Sequence, residues 1–172
     1  MNGPAPKGGP RRLQREIVQR LADFPRQFGA FENAMAAFGE GFELGEFKRA
    51  FETDSDLDAY NDAQAVERGL TRVQGFVAEL AVRGAKLTGL ELERDGSVVE
   101  RSFSALVGAG VIDASLSRRL KRAQRARSRI EHGYAETSAG EVHAAAELVH
   151  DAAPEFIGPF RRWIEPFLEE KE

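Results

Sequence analysis

An arginine, a histidine and a tyrosine stand close together near the end of a predicted helix. His132 follows Arg127 by five positions, and Gly133 and Tyr134 come next. An arginine can neutralise phosphate oxygens through a bidentate contact, while a histidine can exchange a proton with a ribose hydroxyl or with the leaving oxygen. RNA supplies its own 2′-hydroxyl nucleophile, so this chemistry requires no metal. The residue types therefore suit phosphodiester chemistry on RNA, with Arg127 and His132 as candidate catalytic residues.

The charge of the chain is distributed unevenly. The 172 residues include 24 Lys and Arg against 28 Asp and Glu, a net charge of −4 that by itself argues against a nucleic-acid partner. Between Ser115 and Ile130, however, there are seven basic residues and no acidic one, so the rest of the chain carries −11 (−4 minus +7). Such a run is either a solvated helix face or a surface for a polyanion. On the second interpretation, the residues expected to bind RNA besides Arg127 are Arg118, Arg119, Lys121, Arg122, Arg125 and Arg129.

Arg127 falls on the apolar face of this helix. At about 100° per residue, it lies between Leu120 and Ile130 when the helix is viewed down its axis. Burying an unpaired guanidinium is costly, so an arginine at this position needs a partner. We expect Arg127 to form a buried ion pair or to line a polar pocket at an interface.

The spacing of apolar residues predicts an all-α, antiparallel helical bundle. We expect a flexible tail over residues 1–10, an N-terminal helical extension over 11–51 and the main helical domain over 52–172. Helix breaks are expected at Pro25, near Gly84 and around Asp151 and Pro154. Three positions mark helix ends: Asp113 and Ser138 as N-caps, the latter forming a capping box with Glu141, and Gly133 as a C-terminal residue.

Several classes of function are excluded by composition. With no cysteine, the chain has no thiolate zinc site, iron–sulfur cluster or cysteine nucleophile. No apolar run is long enough for a membrane span, and we expect a cytoplasmic protein without a cofactor. His143, Glu147 and His150 share a helix face, but a second ligand pair is absent, which favours a polar surface over a metal site.

The segment from Arg125 to Tyr134, RARSRIEHGY, resembles the R-x4-H-x-Y signature of the HEPN superfamily and, more narrowly, of the HepT-type toxins. The resemblance covers about residues 52–170, including AVERGLTRVQ at 65–74 and the approach to the motif at 102–124. It implies a HEPN-like helical domain that forms a homodimer, with the Arg–His sites of two subunits around one cleft. It also implies a metal-independent endoribonuclease that acts as a toxin.

The resemblance further implies a role for each motif residue. Arg127 corresponds to the arginine that stabilises the phosphate, His132 to the acid or base, and Ser128 to a supporting position that is commonly Asn. Tyr134 corresponds to the tyrosine that a nucleotidyltransferase antitoxin adenylylates in this family. Glu131 stands where the family usually has an apolar residue.

Two alternatives stay open at this point. The substitutions at Ser128 and Glu131 are compatible with a catalytically impaired HEPN-fold module that binds a nucleotide, RNA or a partner protein. The second alternative is a helical scaffold whose working surface would be the phenylalanine-rich stripe of residues 11–51. The simpler interpretation of that stripe is packing against the core or a dimer partner.

Overall fold

Six α-helices make up most of the computed structural model, which describes residues 9–133 and 137–169. They are α1 (Pro10–Ala36), α2 (Leu44–Glu52), α3 (Leu57–Thr88), α4 (Val98–Gly108), α5 (Ala114–His132) and α6 (Ala139–Leu168). The predicted all-α bundle is confirmed, with 81 % helix and no strand among the described residues. Helix α3 lies at the centre and packs against each of the other five helices. Residues 1–8 of the predicted tail lie outside the described residues.

A single hydrophobic core contains side chains from all six helices. Its largest fully buried members are phenylalanines, each of which contributes roughly 1.5–3 kcal/mol by leaving water: Phe31, Phe47, Phe103, Phe156 and Phe160. Phe31 and Phe47 belong to the N-terminal helices α1 and α2, and Phe24 of α1 is buried as well, as are Phe38 and Phe42 of the turn between α1 and α2. The phenylalanine stripe of residues 11–51 therefore lies mainly inside the molecule, and these side chains offer no surface to a partner.

Pro25 lies within α1, so the break predicted there is wrong. A proline has no N–H to donate to the carbonyl four residues earlier, which in α1 belongs to Leu21. Arg161 of α6 supplies a replacement donor, since its Nη2 lies 3.4 Å from the Leu21 carbonyl oxygen. Phe24 and Phe31 are buried on either side of the proline. Packing of these rings and the donor from α6 allow the helix to continue.

The break predicted around Asp151 and Pro154 is also wrong, because α6 continues through three prolines, at 154, 159 and 166. Pro154 is exposed, whereas Ala153 and Phe156 on either side of it are buried. On the solvent side of a helix, a carbonyl that lacks its usual donor can hydrogen-bond to water. The core side of α6 thus holds the helix together across the proline.

The sequence predicted that α3 ends near Gly84, and this prediction is wrong. The helix continues to Thr88, and Gly89, with φ +70°, is its C-terminal cap. A Cβ atom on Gly84 would lie 2.7 Å from Cε2 of Phe160 and 3.1 Å from Cζ3 of Trp163. The glycine is thus needed for the close approach of α6 to α3.

The predicted helix caps are confirmed. Asp113 accepts a hydrogen bond from the backbone N–H of Leu116 at 2.7 Å and starts α5. Ser138 and Glu141 form the reciprocal capping box at the start of α6, with bonds of 3.1 and 3.2 Å. Gly133, with φ +59°, ends α5 directly after His132. These caps determine where the helix that carries the candidate site starts and ends.

Candidate nucleic-acid interface

Helix α5 is held in the bundle by one apolar face and exposes a basic one. Leu116, Leu120 and Ala123 are buried, and α5 packs against α3, α4 and α6. Arg118, Arg122, Arg125 and Arg129 are exposed. The apolar face therefore orients the helix so that most of its cations point to solvent.

Arg127 lies on the inner side of α5, as its position on the apolar face predicted. Its side chain is 24 % exposed, and Nη2 lies 3.0 Å from Oε1 of Glu131, one turn later. The guanidinium lies against Gly75 of α3, where a Cβ atom would be 3.4 Å from the Arg127 Cζ. Its Nε is buried without a hydrogen-bond partner among the described residues. Arg127 thus has a carboxylate partner at the edge of the bundle and a backbone surface beneath it.

A groove of about 300 Å³ between α3 and α5 contains this arginine. Arg68 and Arg72 of α3 line the same groove, together with Gly75 and the acidic residues Glu79 and Glu131. Neither of these two arginines of α3 was predicted from the sequence to belong to a functional site. The signal in the sequence that could have found them was their i, i+4 spacing, which places both on one face of the helix.

The acidic residues of the groove are already paired. Glu79 accepts hydrogen bonds from Arg20 at 2.6 Å and from Arg83 at 2.7 Å. Arg83 also donates to Glu16 at 2.9 Å, and this contact helps to lower the pKa of Glu16. The side chain of Arg72, by contrast, donates among the described residues only to the neutral amide oxygen of Gln27, at 3.4 Å.

His132 is exposed on the last turn of α5 and does not share a face with Arg127. Five residues of regular helix separate their directions by about 140°. Lys121 and Arg125 point within about 20° of His132, and Arg129 within about 60°. A single α5 therefore groups the histidine with the outer basic residues and directs Arg127 away from them.

Three of the residues expected to bind RNA have partners within the chain. Arg119 forms a bidentate ion pair with Glu155, at 3.1 and 2.5 Å, which raises the pKa of Arg119 and lowers that of Glu155. Lys121 donates to Ser104 at 2.7 Å, and Arg125 to Glu100 at 2.6 Å.

Arg122, Arg125 and Arg129 line a second groove, of about 370 Å³, between α5 and α6. Its floor includes Ala126, Ala145 and Leu148. The Arg125 side chain is 64 % exposed despite its ion pair. These arginines form an exposed basic surface on α5.

Of the remaining motif residues, Ser128 is half-buried, whereas Tyr134 lies outside the described residues.

His143 is buried and does not lie on the polar surface that the sequence predicted. Its Nε2 lies 2.5 Å from the carbonyl oxygen of Phe42, and its ring stacks on that phenylalanine. His150 contacts Glu32 at 3.1 Å. The described residues contain no cluster of three His, Cys, Asp or Glu side chains that could hold a metal ion.

No helix of the described residues is both long and apolar enough to cross a membrane. Comparison with known proteins gave no matching family model, curated protein or solved structure.

Proposed function

We propose that the protein is a HEPN-type endoribonuclease that cleaves RNA without a metal ion and functions as a cytoplasmic toxin. The observation that carries the proposal is the end of α5, where His132 follows an exposed basic face and Arg127 lies in an arginine-rich groove. The basic face suits the phosphate backbone, whose contacts supply most of the sequence-independent affinity for nucleic acid. The resemblance of residues 125–134 to the HEPN signature gives the reaction class.

The proposed reaction uses the substrate's own nucleophile. The ribose 2′-oxygen attacks the adjacent phosphorus while a histidine removes its proton, and the bond to the 5′-oxygen breaks as that oxygen is protonated. Arg127 stabilises the negative charge that builds on the phosphate oxygens. The expected products are a 2′,3′-cyclic phosphate and a 5′-hydroxyl.

Two subunits are required in this proposal. Arg127 and His132 point about 140° apart on one α5, so Arg127 of one subunit would meet the histidine of a second. A two-fold axis creates two such sites at once.

The proposed regulation rests on the resemblance alone. A nucleotidyltransferase antitoxin would transfer the AMP group of ATP to the hydroxyl of Tyr134, two positions after His132, and release pyrophosphate. The added phosphate would place negative charge next to the site and repel the RNA backbone.

The proposal is tested by RNA cleavage in EDTA with the wild-type chain, Arg127→Ala and His132→Ala. We expect the wild type to produce 2′,3′-cyclic phosphate ends and each variant to lose at least a hundredfold in rate. Lys48→Gln on α2 is a control outside the site. Equal cleavage by wild type and His132→Ala, or no cleavage by the wild type, would contradict the proposal.

One observation favours the alternative of a binding module without catalysis. The Glu131 carboxylate lies 3.0 Å from Nη2 of Arg127 and competes with a phosphate for the same guanidinium. On this alternative, RNA binds in a salt-dependent manner and is not cleaved. Binding of RNA by the wild type in the absence of any cyclic-phosphate product would select it.

A further inference from the structure

We propose that the groove between α3 and α5 binds a phosphate group, with Arg68 and Arg72 of α3 as its principal ligands and Arg127 as the third. The inference extends the proposed function, because it assigns an anion site to a helix outside the R-x4-H segment. It can be tested separately, since binding of a phosphate does not require cleavage.

The charges in the groove favour an anion. Of its two acidic residues, Glu79 is held by Arg20 and Arg83, and Glu131 by Arg127. Within residues 9–133 and 137–169, the Arg68 side chain donates no hydrogen bond, and the Arg72 side chain bonds only to the neutral side chain of Gln27. Among the described residues, the guanidinium groups of Arg68 and Arg72 are therefore not hydrogen-bonded to a carboxylate.

Glu67 is the neighbouring acidic residue on α3. Burial raises the pKa of Glu67, and the adjacent Arg68 counteracts that rise. The two side chains form no ion pair, so the guanidinium of Arg68 keeps its hydrogen-bonding capacity for an external anion.

The geometry also suits a phosphate. Arg68 and Arg72 lie one helical turn apart on an exposed face, with their Cβ atoms about 6 Å from each other. Arginine donates in a planar fork that matches phosphate oxygens. Across the groove, the Arg127 guanidinium of α5 lies against Gly75 of α3, so three arginines face a volume of about 300 Å³. That volume is at the lower end of the range for small-molecule sites and accommodates a phosphate with its sugar.

A phosphate in this groove lies on the side of α5 that His132 of the same chain does not face. Arg68 and Arg72 are therefore positioning residues: they hold a phosphate, and any proton transfer comes from elsewhere. Such a phosphate has two sources, an RNA strand or a free phosphorylated compound, and the experiment separates them.

The test measures binding calorimetrically with two probes, sodium pyrophosphate and an uncleavable 2′-O-methyl RNA 12-mer. The variant Arg68→Gln/Arg72→Gln is compared with Lys48→Gln/Arg49→Gln on α2, which changes the net charge equally. All four positions are exposed, so both variants should fold, and melting by circular dichroism verifies this. The single variants Arg68→Gln and Arg72→Gln provide the same comparison if the double variant unfolds.

We expect at least a tenfold loss of affinity for both probes in the α3 variant and less than a threefold loss in the control. Loss for RNA alone identifies a strand as the source of the phosphate, and loss for pyrophosphate alone identifies a free compound. Equal losses in the two variants, or no loss in either, would overturn the site. Because the RNA probe cannot be cleaved, a failure of the ribonuclease proposal leaves these results unaffected.

Discussion

The guanidinium of Arg127 lies against the backbone of α3 at Gly75, at 3.4 Å from the position that a Cβ atom would occupy. An arginine on an apolar helix face is thereby accommodated without being fully buried, since its tip reaches the edge of the bundle and Glu131. The contact joins the two helices that line the groove. Gly84 of α3 also lies against a side chain of another helix, and the contacts of the two glycines differ enough to be told apart by substitution.

Substituting alanine at Gly75 should stabilise the protein, whereas the same change at Gly84 should destabilise it. A Cβ at position 75 makes an ordinary contact, so the helix gains about 0.5–1 kcal/mol from the loss of glycine. At position 84 it would lie 2.7 Å from the fully buried ring of Phe160, and overpacking of a core costs roughly 1–3 kcal/mol. Urea unfolding measures both changes. A stability change of the same sign for the two variants would contradict this assignment.

Mixing two inactive variants should restore ribonuclease activity if the site is shared between subunits. In a dimer of Arg127→Ala with His132→Ala, one site loses both residues and the other retains both. With random exchange, half of the dimers are mixed and each has one intact site, so activity should reach about a quarter of the wild-type value. No recovery after denaturation and refolding together would show that both residues act within one chain. The variants refolded separately are the control.

The variant Glu131→Gln should bind RNA more tightly than the wild type. The change removes the carboxylate that holds Arg127 at 3.0 Å and lowers the repulsion of an approaching phosphate. The pair is partly exposed, so the gain should be about 1.4-fold to fivefold, matching the roughly 0.2–1 kcal/mol of a surface ion pair. Fluorescence anisotropy with labelled RNA measures it, and Glu40→Gln on the α1–α2 turn controls for net charge. Unchanged affinity would show that Arg127 does not contact RNA.

Two glutamates should affect the pH dependence of stability in opposite directions. Hydrogen bonds from Arg12 and Arg83 lower the pKa of Glu16, so its stabilising effect is present above its ordinary pKa near 4.5 and is lost as the pH falls through the lower folded value. Burial raises the pKa of Glu67, so its charged form opposes folding once the pH rises above the raised value.

Accordingly, Glu16→Gln should lower the melting temperature at pH 7, and its difference from the wild type should shrink as the pH is lowered from 4.5 to 3. Glu67→Gln should raise the melting temperature at pH 7 and leave it unchanged at pH 3. Thermal unfolding at the two pH values tests both, and a pH-independent effect of either substitution would refute the corresponding assignment.

The sequence predicted those features that depend on a few neighbouring residues. Asp113, Ser138 with Glu141, and Gly133 mark helix ends because a cap involves only the adjacent turn. The inner position of Arg127 followed from helical periodicity alone. These features and the all-α class could be predicted from the sequence without knowledge of the tertiary structure.

The features that depend on contacts distant in sequence could not be derived in this way. Pro25 and Pro154 looked like breaks because local rules do not include the core packing that carries each helix onward. The arginines of α3 entered the site only once the fold placed them across from Arg127. Which cation faces which groove is determined by how α3 and α5 pack.

The contact of Arg161 with the Leu21 carbonyl makes two distant positions interdependent. With proline at position 25 that carbonyl has no helical donor, so loss of Arg161 leaves it without either partner. With alanine at position 25 the helix supplies the donor itself, and the same loss at 161 costs less. The tolerance of one site to substitution thus depends on the residue present at the other, so the two positions are expected to vary together over evolution.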